Sequence, residues 1–87
     1  MFVVLVYDVK QERVSKVLKV CRKYLTWVQN SVFEGEITPA KLEILKDELK
    51  EIIDPTYDSI VIYKFKLKPL KREVLGLNPP SSEDLFI

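Results

Sequence analysis

Apolar positions run unbroken from Met1 to Tyr7, and the spacing of apolar residues then changes from one segment of the chain to the next. The opening stretch, Met1 to Val9 (MFVVLVYDV), is rich in valine and free of Gly and Pro. It predicts a central strand covered on both faces. Its single carboxylate, Asp8, belongs where that strand leaves the core, because burying an unpaired carboxylate is costly. There it can accept hydrogen bonds, hold a cation, or cap the helix that follows.

From Gln11 to Tyr24 the period becomes helical, with Val14, Val17, Leu18, Cys21 and Leu25 on one face. Arg13, Lys16, Lys19, Arg22 and Lys23 fall off that stripe and are placed to meet solvent or a polyanion. Leu25 to Ile37 predicts two short strands with a tight turn or bulge near Gln29 to Ser31. Gly35 within the second strand marks a bulge or a close backbone approach. Thr38 and Pro39 open a second helix, as N-cap and first helical residue. It runs to about Ile53 on a stripe of Leu42, Leu45, Leu49 and Ile52, and Asp54-Pro55 ends it. Ser59 to Lys68 is the last regular strand. Val61, Tyr63, Phe65 and Leu67 share one side, while the other switches from Ile60 and Ile62 to Lys64, Lys66 and Lys68. That predicts a strand buried on both faces at its start, leaving the core with one lysine-bearing face.

The order strand, helix, strand, strand, helix, strand predicts an α+β, ferredoxin-like βαββαβ domain over residues 1–68, with a four-stranded antiparallel sheet and both helices on one face. Residues 69–87 form a tail with one short strand candidate, Arg72 to Leu75, then Pro79-Pro80 and an apolar end at Leu85, Phe86 and Ile87. Four strands and two helices already supply the core of a chain this small, so the tail is expected to cross onto a second subunit.

Composition removes several chemistries. The absence of histidine excludes imidazole zinc sites, Ser-His and Cys-His nucleophile pairs, and histidine acid-base work. With glycine only at 35 and 76, neither a P-loop nor a dinucleotide fingerprint can be built. The lone Cys21 falls on a helix stripe and reads as a core residue. No apolar run reaches the roughly 18 residues a membrane span needs. The opening stretch also lacks the basic flank and small-residue cleavage site of a signal peptide, so a cytoplasmic protein with no membrane partner is expected.

The net charge of +1 conceals a segregation. Lys10 to Lys23 carries six basic residues against one acid and Lys64 to Arg72 five against none, whereas Glu34 to Asp58 carries eight acids against three lysines. Basic stretches on either side of an acidic one predict separate faces of opposite sign, and the basic ones suit a phosphate backbone. The RNA-recognition version of the fold needs aromatics within a glycine-aromatic signature, which is absent here.

VLVYDV at the amino terminus, the Arg13-Val14 pair opening the first helix, VQNSVFEGE from Val28 to Glu36, a helix after ITP and the strand DSIVIYKF together resemble the Cas2 family of CRISPR-associated proteins. The resemblance spans residues 1 to about 68, and its specific parts are Tyr7-Asp8 and the SVFEG block. It implies a homodimer in which Asp8 faces its symmetry mate and binds a divalent cation, usually magnesium, and a partnership with the Cas1 integrase in spacer acquisition. Members are described as metal-dependent nucleases on RNA or double-stranded DNA, or as non-catalytic DNA scaffolds. Besides Asp8, the resemblance carries Tyr7, Arg13 and Phe33 over as nuclease-site residues. An arginine that some members have before the second strand corresponds here to Trp27, a departure that weakens the nuclease reading. On the residues alone, one acid cannot hold magnesium tightly, and two-fold symmetry would supply a second. Arg13, Lys16, Lys64 and Lys66 are the expected phosphate contacts of either reading.

Overall fold

The computed structural model describes residues 1–76. In chain order they form β1 (Phe2–Asp8), α1 (Gln11–Tyr24), β2 (Thr26–Gln29), β3 (Val32–Glu36), α2 (Pro39–Lys50) and β4 (Ser59–Phe65). The strands make one sheet in the order β2-β3-β1-β4 with every neighbouring pair antiparallel. β1 therefore has a ladder on both edges, as its uninterrupted apolar run predicts. The βαββαβ order and the four-stranded antiparallel sheet are those expected from the sequence.

Strand alternation divides β1 between two environments. Val3, Leu5 and Tyr7 join Phe33, Val17 and Cys21 of α1, and Leu42, Leu45 and Leu49 of α2 in a single buried cluster. That cluster is the core, and it puts both helices against the same face of the sheet. Cys21 is buried within it, and desolvation pushes its thiol pKa up to about 12, so it behaves as a small apolar side chain. α1 carries Glu12 in its first turn and Arg22 and Lys23 in its last, each favourable to the helix dipole. α2 starts where Thr38 Oγ1 accepts from the Lys41 amide at 3.2 Å. It ends at Lys50 rather than near Ile53, where the amides of Glu51 and Ile52 turn back only three residues, to the Glu48 and Leu49 carbonyls. Those two isoleucines still pack on the core, so the apolar stripe outlasts the helix.

The β2–β3 hairpin turns at Asn30, whose φ of +43° is one asparagine tolerates, and a register shift lies between Trp27 and Gln29. Gly35 forms neither a bulge nor a tight approach: β3 keeps its register with β1 through it, the nearest neighbour of a Cβ would stand at ordinary contact distance, and its backbone angle is what favours glycine. Its φ is +156°, and Leu25 Cδ2 would stand 3.5 Å from a Cβ placed there.

Two expectations need correction. β1 and β4 are not covered on both faces by the described residues: opposite Val6, Val4 and Phe2, the β4 residues Val61, Tyr63 and Phe65 are 44%, 56% and 41% exposed. An apolar run reports that a face wants covering, and the helices available can cover only one. β4 also ends at Phe65, short of Lys68, and residues 72–75 belong to no strand of the described sheet. Arg72 instead donates to the buried Glu34 at 2.9 Å, and residues 72–75 line a hollow with Val28 and Gln29. The tail features from Pro79 onward lie outside the described residues. Among the described residues, no helix is long and apolar enough to cross a membrane.

Candidate acidic centre at the end of β1

Asp8 is the last residue of β1 and is paired in register with Ser59, the first residue of β4. By alternation its side chain emerges on the same sheet face as Val4 and Val6, the face the helices leave open. It is exposed, and its carboxylate makes no hydrogen bond or ion pair among the described residues. It does not cap α1, whose N-cap is Lys10 with no side-chain cap bond. Beside it a shallow hollow is lined by Tyr7, Val9, Val14, Asn30 and Ser31.

Tyr7 and Phe33 point the other way. Both are buried under the helices with ring centroids 6.3 Å apart, and burial raises the Tyr7 hydroxyl above its ordinary pKa. They underpin the strand end from the core side, and the Tyr7 amide donates to the Ser31 carbonyl at 3.0 Å to hold the hairpin against it. The Arg22 guanidinium lies 5.8 Å from the Trp27 ring centroid, within cation–π range.

Arg13 is engaged with Asp58, a residue the sequence pattern does not single out. Its Nε donates to Oδ2 at 2.5 Å and its Nη2 to Oδ1 at 3.0 Å, while the backbone amides of Lys10 and Asp54 each donate to the same carboxylate at 2.9 Å. The Asp58 side chain has 0% exposure, and these four bonds compensate for its burial. Arg13's fork holds the carboxyl well below the usual carboxylate range, against the opposing pull of burial. No local motif announces such a pair, since its members are 45 residues apart. Glu34 is the other buried acid among the described residues; burial raises its pKa, and Arg72 and Lys68 partly offset that. Glu48 accepts from both Lys23 and Tyr24 between the helices.

The nominated residues thus fall into two groups. Asp8, Tyr7 and Arg13 gather at one end of the sheet, and Lys16 is exposed on α1. Lys64 pairs with Val3 and Lys66 lies past the end of β4, so Lys64 is roughly 17 Å along the strands from the Asp8 rung. Chemically, Asp8 offers a hard oxygen donor that suits magnesium, but one carboxylate per chain is an incomplete set. Among the described residues no three Asp, Glu, His or Cys side chains are grouped to hold an ion.

Comparison with known proteins agrees with this architecture. Residues 1–73 match the family model described as CRISPR associated protein Cas2. A Pyrococcus furiosus protein named CRISPR-associated endoribonuclease Cas2 is 52% identical over 86 residues, 99% of this chain and 100% of that protein. One of the same name from Methanocaldococcus jannaschii is 50% identical over 87 residues, 99% of this chain and 76% of that protein. A crystal structure of Cas2 superposes with a TM-score of 0.83 at 46% identity, covering 90% of this chain and 88% of that one. Streptococcus pyogenes Cas2, solved at pH 6.5, does so with a TM-score of 0.69 at 42% identity over 75% of this chain and 86% of that one. With its specific blocks, its topology and nearly its whole described length matching, the chain belongs to the CRISPR-associated Cas2 family.

Proposed function

We propose that this chain acts in CRISPR adaptation as a homodimer that binds nucleic acid alongside the Cas1 integrase, and that paired Asp8 carboxylates form a magnesium-dependent centre for phosphodiester cleavage. One observation carries the reading: an exposed carboxylate without a partner among the described residues sits at the margin of an apolar sheet face that those residues leave open. Stacking two such faces about a two-fold axis would bury Val61, Tyr63 and Phe65 and bring a second Asp8 to the first. Two aspartates and water suit magnesium's preference for oxygen ligands. A bound cation would supply charge stabilisation and a more acidic water. Around it Asp8 supplies the anionic ligand, Tyr7 and Phe33 support the strand that carries it, and the basic face of α1 attracts the phosphate chain. The relatives' names point to RNA as the substrate class.

Asp8→Asn keeps the side chain's shape and removes its charge. It is expected to abolish magnesium-dependent RNA cleavage while leaving folding and association intact, and equal cleavage by mutant and parent would refute the enzymatic reading. The distance between Asp8 and the lysines at the far end of β4 favours a second reading, a DNA scaffold without catalysis. Normal spacer acquisition by Asp8→Asn, together with failure of Lys64→Ala/Lys66→Ala, would select it.

A further inference from the structure

We infer that Asp58 is a positioning residue for the Asp8 centre, fixing where the Asp8 carboxylate stands although it does not touch it. The inference rests on the reading of Asp8 as a cation ligand and extends it to a residue that reading does not use.

Two routes fix where the end of β1 lies, one along the chain and one across the β1–β4 ladder, and Asp58 is tied to both. Downstream of Asp8 the chain passes through Val9 to Lys10, whose amide donates to Asp58 Oδ1 at 2.9 Å. Lys10 is also the N-cap of α1, and its carbonyl accepts from the Arg13 amide at 2.9 Å. Arg13 then closes the loop by gripping Asp58 with two nitrogens. Across the sheet, the ladder partner of Asp8 is Ser59, the residue immediately following Asp58. The carboxylate is itself fixed from behind by the Asp54 amide at 2.9 Å, and the Asp58 amide donates to the Asp54 carbonyl at 2.8 Å. One buried side chain therefore ties the β1–α1 connection, the start of α1 and the start of β4 together around an exposed acid. Because Asp8 has no bonded partner of its own among the described residues, its position depends on the backbone on either side of it. A cation ligand in a two-fold site tolerates little displacement, since both copies move together.

The test measures Mn2+ binding to the full chain by the loss of the free-ion electron paramagnetic resonance signal, at a temperature where circular dichroism shows each variant folded. Asp58→Asn is expected to weaken Mn2+ binding roughly tenfold, the lower end of what losing an outer support of a metal site costs. Lys10→Pro provides a gentler cut. The Lys10 φ of −64° already suits proline, so this change removes the amide donor together with the side chain over Tyr57, and Lys10→Ala, which removes the side chain alone, is its reference. Lys10→Pro is expected to bind Mn2+ several-fold more weakly than Lys10→Ala. Leu42→Ala, which opens the core away from this end, controls for lost stability and should retain parental binding. Parental binding by folded Asp58→Asn, with no difference between Lys10→Pro and Lys10→Ala, overturns the positioning role while Asp8→Asn still loses the ion. If Asp8→Asn itself binds Mn2+ as the parent does, the cation reading of Asp8 fails, and the positioning role falls with it.

Discussion

Arg13 and Asp58 are joined by a two-pronged ion pair, with Nε to Oδ2 at 2.5 Å and Nη2 to Oδ1 at 3.0 Å, in which the carboxylate is wholly buried and the arginine side chain partly so. The pair commits Arg13 to the fold. Replacing Arg13 would leave a buried carboxylate with two backbone donors and no counter-ion, so any fall in nucleic-acid binding in Arg13→Ala would mix a structural effect with a direct one.

The same pair predicts acid sensitivity. Asp58's carboxyl pKa is depressed in the folded chain, chiefly by the Arg13 hydrogen bond. Its stabilisation is therefore complete above the unfolded value of about 3.9 and is lost as pH falls toward the lower folded value. Thermal melts should show the parent losing stability below about pH 4. Asp58→Asn should melt lower than the parent at neutral pH and lose less on acidification. Parallel pH profiles would contradict this account.

The open sheet face predicts a separation of folding from association. Tyr63 is more than half exposed and Val61 nearly so in the single chain, so Tyr63→Glu and Val61→Asp place charge where the isolated fold has no objection. Sedimentation should find them as folded monomers where the parent is a dimer, and removing Leu70 to Ile87, which also takes Arg72 from the buried Glu34, should weaken association without abolishing it. A parent that sediments as a monomer at micromolar concentration would remove both the dimer and the shared site.

Nucleic-acid binding should depend on salt in proportion to the number of phosphates neutralised. On duplex DNA, each phosphate that a variant no longer neutralises should lower the magnitude of the log-log salt slope by about 0.9. Lys64→Ala/Lys66→Ala tests the far end of β4, and Lys16→Ala tests α1. Unlike Arg13, all three lysines are exposed, and none has a side-chain hydrogen bond or ion pair among the described residues. Fluorescence anisotropy across a potassium chloride series should show lower affinity, a shallower slope and unchanged sequence preference. An unchanged slope would mean that the phosphates lie against other residues.

Local pattern was sufficient for most of the fold. Period-two and period-3.6 spacing, the Thr38-Pro39 start and the unbroken valine-rich run each depend on neighbours within a few residues, and they specified six elements, their order and the place of Asp8 at a strand end. What the tertiary structure decided concerns partners distant in the chain. Val61, Tyr63 and Phe65 look like core in sequence because apolar spacing records that a face must be covered, not whether the same chain covers it. Arg13 looks like a free cation on a basic helix face because the acid that holds it lies 45 residues away. The lysines of α1 and β4 look like one basic set, yet antiparallel pairing with Val3 carries Lys64 to the opposite end of the sheet from Asp8. The physical reason is common to all three: periodicity is a property of the local backbone, while the occupant of a face or the counter-ion of a charge is set by which distant segments the closed sheet brings together.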